Sequence, residues 1–264
     1  MLSIQPNENV TFHLRFEDDH LIVVDKPPGR VTQPGLAHES DSLLNGLFAL
    51  YGSRLQNLGK SRDFGLLHRL DRDASGLLLV ALRPRAYDAL RAMFEAREVR
   101  KFYWAVVASR PREPKGLVRK PLLEFERQGR TLSRPARTGK PSITAYRLLQ
   151  AAEKFSLVEC RTLTGRLHQV RVHLESIGCP IAGDRDYAPP AVASAARRLA
   201  LHAHRIVFNH PETGARVDVR SPWPRDLRSL LARTGLDRPD LDTQHEVPGD
   251  GISDEEPPVR QPPR

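Results

Sequence analysis

Two rhythms of apolar residues alternate along the chain. Leu21–Asp25, a continuous apolar run up to Val24, is closed by Lys26-Pro27-Pro28-Gly29, which predicts a buried strand ended by a turn. Over about 41–51, Leu43, Leu44, Leu47, Phe48 and Tyr51 keep one-face helical spacing, with Gly52 as the expected stop. Leu77–Leu82 reads as a second buried strand, entered from the polar stretch LLHRLDRDASG. A helix is expected over about 84–97, with proline at its start and Leu90, Met93 and Phe94 turned inward. In Phe102–Val107, Phe102, Trp104 and Val106 alternate with Tyr103, Ala105 and Val107, the period of a strand.

Further strands are expected at about 142–150 and 155–162. A helix follows over about 167–177, with Val170, His173, Leu174 and Ile177 on one side and Gly178 as its stop. Leu199–Phe208 and Ala215–Arg220 read as strands joined by a hairpin around Pro211–Gly214, and a last helix over about 224–234 ends at Gly235. Between these, 127–141 carries five positive charges and no acid, the composition of a flexible basic loop or an RNA-contacting one. The periodic pattern stops after 236, and 237–264 is acidic and proline-rich, which predicts a disordered tail. The elements interleave irregularly, so 1–236 is expected to be one mixed α/β (α+β) domain.

Charge sharpens this outline. The chain has 264 residues, 39% apolar and 28% charged, an ordinary globular composition with a net charge of +9. The tail alone carries −5, leaving 38 basic and 24 acidic residues, +14, in 1–236. Such a body suits a polyanionic partner. The two cysteines, Cys160 and Cys179, form no C-x-x-C pair, and buried thiols are expected. No basic-then-apolar leader opens the chain and no apolar run reaches 18 residues, so a cytoplasmic protein without a membrane span is expected.

Two arrangements imitate other chemistries. Asp63-Phe64-Gly65 and His68-Arg69 before Asp71 mimic kinase elements, but in the wrong order, with Leu70 interposed and no phosphate loop. A phosphotransferase is therefore disfavoured. His202-x-His204 and the pair His168/His173 have spacings a metal would accept, yet no acid or cysteine stands at a matching interval. They are read as core or surface histidines, and no metal or cofactor is expected.

The informative stretch is His68-Arg69-Leu70-Asp71-Arg72-Asp73 directly before a buried strand. It puts a carboxylate at the edge of a sheet among basic groups, which favour its charged form. On those residues alone a structural ion-pair cluster is the first reading. The full segment HRLDRDASGLLLVA, however, resembles the signature of the RluA family of RNA pseudouridine synthases, with Ala74 where threonine is usual. LIVVDKPPG at 21–29, KFYWAVV at 101–107 and TGRLHQVRVHL at 164–174 resemble that family's other motifs in the same order. Pro180–Asp184 with Tyr187, then Leu201-His202-Ala203, continue the pattern, with Ala188 where glycine often follows the tyrosine. The resemblance covers about 12–235.

The resemblance implies a largely antiparallel central sheet flanked by helices and loops. It also implies an isomerase that detaches an RNA uracil from its ribose and rejoins it through C5. Asp71 is then the catalytic residue, either removing a ribose proton or forming a covalent adduct, with Arg166 as its ion-pair partner. Tyr103 supplies a stacking face and a hydroxyl for the C5 proton, and His68 orients the loop. The target base leaves its stack, and Arg69 takes the vacated place. Arg130, Arg134 and Arg137 are expected to meet phosphate. Ribosomal or transfer RNA is the expected partner of a monomer. The alternative is an inactive RNA-binding protein of the same fold.

Overall fold

A computed structural model describes residues 3–241. Its strands and helices are, in chain order, β1 (His13–Glu17), β2 (Leu21–Lys26), α1 (Leu43–Leu58), β3 (Ser75–Ala81), α2 (Pro84–Glu95), β4 (Arg100–Ala108), β5 (Lys115–Val118), β6 (Leu122–Arg127), β7 (Arg130–Pro135), β8 (Thr144–Ala151), β9 (Phe155–Thr162), α3 (Gln169–Glu175), α4 (Pro190–Ala193), β10 (Leu201–Asn209), β11 (Arg216–Arg220) and α5 (Arg228–Thr234). One sheet runs β1-β2-β3-β10-β4-β9-β8-β5, with β11 paired to β10. Every pairing in it is antiparallel except β3 with β10. The fold is thus mixed α/β with a largely antiparallel central sheet.

The short parallel contact sets the position of the catalytic-loop candidate. Only His202↔Ser75 and Ala203↔Gly76 pair there, immediately after His68–Asp73. Gly76 sits at φ +117°, and a Cβ would stand 2.3 Å from the carbonyl oxygen of Ala203. Glycine alone lets the two backbones approach this closely. Beneath the junction His202 lies between Ser75 Oγ, 3.0 Å away, and Ser221 Oγ, 3.2 Å away. Burial drives its pKa down to about 3, so it is a neutral core histidine.

The strands of the sequence reading recur with shifted ends, and three differences have clear causes. The first helix does not stop at Gly52. It passes a kink at Tyr51 and runs to Leu58, because Leu55 and Leu58 extend its apolar face into the core. The helix expected from 167 begins only at Gln169, since His168 is left-handed (φ 54°) and breaks the helical path before it. The basic stretch expected to be a flexible loop is instead the β6–β7 ribbon. It turns on Gln128 and Gly129, both at positive φ, the geometry of a tight two-residue hairpin.

Packing at the C-terminal end continues past 236. Pro239 is buried, Asp237 N donates to Gln150 Oε1, and Arg220 donates to the Leu241 carbonyl. The rest of the expected tail, 242–264, lies outside the described residues. Both cysteines are buried and unpaired with each other.

Candidate active site

The segment Leu67–Ala74 has no regular structure of its own and is held from several sides. His68 Nε2 accepts from Leu79 N at 3.1 Å, which fixes the start of the segment against β3. Burial and the nearby Lys101 hold that imidazole far below its usual pKa, so it stays neutral and able to accept. Thr32 clamps Leu70 from the other side, donating to its carbonyl at 3.0 Å and accepting from its N–H at 3.2 Å.

Lys26, fully buried at the end of β2, ties the preceding turn to the same segment. Its Nζ donates to Pro27 O, Arg30 O and Arg72 O at 2.9, 2.8 and 3.1 Å. Desolvation draws its pKa down to about 7, against the opposing attraction of Asp71 and Asp73. An ammonium with three donors matches three carbonyls.

Asp71 thereby projects into a cavity of about 690 Å³ with Tyr103, Arg69 and Arg166 on its walls. Its Oδ2 lies 3.3 Å from Arg171 Nη1. Arg171 comes from the first turn of α3 and is itself buried. Two more carboxylates grip it: Asp184 accepts from Nε at 2.8 Å and Nη2 at 2.7 Å, and Asp186 accepts from Nη2 at 2.6 Å. Burial opposes its charge, but Asp184, Asp71 and Asp186 together raise its hold on the proton above that of an ordinary arginine. The guanidinium also lies over the Tyr187 ring, 4.9 Å from the centroid. Asp71 itself lines the cavity, and its Oδ1 has no hydrogen bond among the described residues.

Tyr103, on β4, is buried beside this carboxylate. Burial first, and the charge of Asp71 second, push its phenol well above the ordinary tyrosine value. It therefore presents an O–H and a ring face rather than a phenolate. Arg69 is exposed at the cavity wall, with no hydrogen bond or ion pair among the described residues.

These features meet known proteins along most of the chain. The family model described as RNA pseudouridylate synthase matches residues 20–176. A ribosomal large subunit pseudouridine synthase D of Zymomonas mobilis is 36% identical over 85% of this chain and 73% of its own length. One of Nitrosomonas europaea is 38% identical over 85% of this chain and 65% of its own. Among solved structures, human RNA pseudouridylate synthase domain containing 4 superposes with a TM-score of 0.67 at 25% identity, covering 86% of this chain and 94% of that one. The chain belongs to the RNA pseudouridylate synthase family. It is an enzyme that isomerises uridine in RNA.

For this synthase the structure corrects the expected ion pair. Arg166 does not meet Asp71: its Nε donates to Pro141 O at 3.1 Å, while its N–H is received by Gln169 Oε1. The left-handed turn at His168 carries Arg166 away, and the pairing falls to Arg171, five residues on. Arg166 remains on the cavity wall.

The three arginines expected to meet phosphate also part company. Arg130 pairs with Asp186 at 2.7 Å, and Ser133 N donates to Tyr187 Oη at 2.9 Å, so the ribbon is fastened to the Arg171 cluster. Arg134 lies over the Phe125 ring, 5.6 Å from its centroid, and Arg137 is exposed. Sequence reasoning missed Arg171, Asp184, Asp186, Thr32 and the anchoring role of Lys26. His168 and His173 go to Tyr187 Oη and Thr144 Oγ1, at 2.7 and 2.8 Å. His204 stacks on Trp104 with centroids 3.7 Å apart.

Proposed function

We propose that Asp71 performs the isomerisation on a uridine flipped out of structured RNA. The observation that carries this is the fixed Asp71 carboxylate, with Oδ2 turned to Arg171, lining a cavity that Tyr103 shares. The reaction breaks C1′–N1, forms C1′–C5, moves the C5 proton off the base and leaves N1 protonated. It is balanced without an oxidant or energy source. What it needs is a carboxylate aimed at the ribose while the freed base is retained, and Tyr103 offers the retaining face. Arg69, exposed and without a partner among the described residues, is the side chain assigned in this reading to fill the gap left in the RNA. The body's +14 charge supplies the attraction to phosphate.

The relatives' names favour ribosomal RNA of the large subunit as substrate, with transfer RNA the other candidate. Among the described residues no helix is long and apolar enough to cross a membrane. We place the enzyme in the cytoplasm, acting as a monomer with 1–236 as its catalytic domain. The test is pseudouridine mapping across total RNA from cells carrying the wild-type gene, no gene, or Asp71→Asn. Sites should vanish in the last two while the variant remains folded. Persistence of modification in the Asp71→Asn strain would remove Asp71 from the chemistry.

A further inference from the structure

One charged group in the cavity has no use in the mechanism above. Lys101 stands two residues before Tyr103 on β4, so both side chains leave the same face of the strand, about 7 Å apart along it. Both line the cavity. Lys101 pairs across the sheet with Thr162, the last residue of β9, where the chain enters the loop that carries Gly165 and Arg166.

Its surroundings are unusual for an ammonium. Nζ lies over the Phe94 ring, 5.1 Å from the centroid, and a Cβ on Gly165 would be 3.9 Å away. Among the described residues it has no hydrogen bond and no carboxylate partner. Three neighbouring cations are engaged, Arg171 by three carboxylates, Lys26 by three carbonyls and Arg166 by a carbonyl, while Arg69 is exposed at the cavity wall, where water serves its charge. Desolvation brings the Lys101 pKa down to about 8, with no counter-ion opposing it. A half-buried, unbalanced cation carries a standing cost that an incoming anion would relieve.

An ammonium is a compact charge with three rotatable donors and suits a single phosphate better than a planar carbonyl edge. A uracil carbonyl would supply one acceptor and leave the charge uncompensated. We propose that Lys101 binds the RNA phosphate flanking the flipped uridine, anchoring the backbone one strand step from the base held at Tyr103. Lys101 is then a substrate-binding residue whose contact is made before the chemistry and kept through it. This rests on the reading of the cavity as the uridine site.

The experiment uses the full-length enzyme and an RNA oligonucleotide that the wild type is first shown to modify. Failure at that first step would count against the uridine-site reading; the arms below address Lys101 alone. Lys101→Met should raise KM and Kd about 5- to 10-fold at moderate salt and leave kcat within about 2-fold, the pattern of uniform binding. The slope of log Kd against log salt should fall by nearly one charge, about 0.7–0.9. Lys101→Arg should restore most of the affinity.

A second arm changes the RNA as well as the enzyme. Neutral methylphosphonate is placed singly on the 5′ or the 3′ side of the target uridine. At one of these positions the wild type should lose affinity while Lys101→Met loses no more. Unchanged affinity and salt slope in Lys101→Met, a loss confined to kcat, or additive losses at both phosphates would each overturn the proposal.

Discussion

Arg171 reaches Asp71 with one terminal nitrogen, at 3.3 Å, while its other two nitrogens are committed to Asp184 and Asp186. The carboxylate proposed to react is thus held by a guanidinium that three carboxylates fix in place. The same cluster extends through Asp186 to Arg130 on the β6–β7 ribbon. The carboxylate proposed to react and the β6–β7 ribbon thus share one electrostatic unit.

Removing the guanidinium leaves Asp184, only 1% exposed, without its partner. Arg171→Met should therefore destabilise by about 3–5 kcal/mol, the usual result of breaking a buried pair from one side. Arg171→Lys keeps a charge but cannot bridge three carboxylates at once. It should fold, and lose about 100-fold in single-turnover pseudouridine formation as Asp71 drifts from its aim. Thermal unfolding and a rapid-quench assay check both. If Arg171→Met/Asp184→Asn were no more stable than Arg171→Met, the buried carboxylate would not be the source of the loss.

Lys26 yields a prediction about pH. The folded protein releases the Lys26 proton at about 7, whereas an unfolded chain keeps it to about 10.5. Between those values the unfolded state binds more protons, so folding stability from this residue rises with pH across that window. Urea unfolding at pH 7, 8 and 9 should show a positive slope in wild type that is absent from Lys26→Met. Equal slopes in the two proteins would mean that Lys26 keeps its proton in the fold.

Arg130, on the ribbon, is expected to separate by function from Arg134 and Arg137. Arg134→Ala and Arg137→Ala should weaken RNA binding modestly, each lowering the salt slope by up to about one, with kcat unchanged. Arg130→Ala should act on kcat, because it releases Asp186 and loosens the hold on Arg171. Steady-state kinetics over a range of salt distinguishes these outcomes. A change confined to KM in Arg130→Ala would detach the ribbon from the catalytic cluster.

What the sequence revealed of the site follows from how local each feature is. Asp71 lies in a continuous motif whose residues are neighbours in the chain and in space, so its position was legible. Its partner was not: choosing between Arg166 and Arg171 depends on one left-handed residue, His168, whose φ reverses the path of the chain. Lys26 was visible only as part of a turn, because its three carbonyl partners include Arg72, 46 residues away. The ribbon was hidden by its arginines, which made 127–141 look like a solvated loop, although Gln128-Gly129 can turn a hairpin and Leu132 is buried. Strand order gave a similar result. Alternation marked β4, but the parallel contact of β3 with β10 depends on Gly76 lying against Ala203.

The acidic C-terminus supplies a last prediction, with two truncations that separate packing from charge. Ending the chain after Leu241 removes six acids and two arginines and raises the formal charge from +9 to +13. It leaves the Asp237–Gln150 and Arg220–Leu241 contacts in place. This protein should melt like the full chain and bind RNA several-fold more tightly at low salt. The gain should vanish near 0.5 M salt, where charges beyond a few ångströms are screened. Ending after Leu236 also strips buried Pro239 and the Leu241 contact, and should lower stability by about 1–2 kcal/mol. Equal low-salt affinity in the full chain and the Leu241 truncation would exclude competition between these acids and RNA for the basic face.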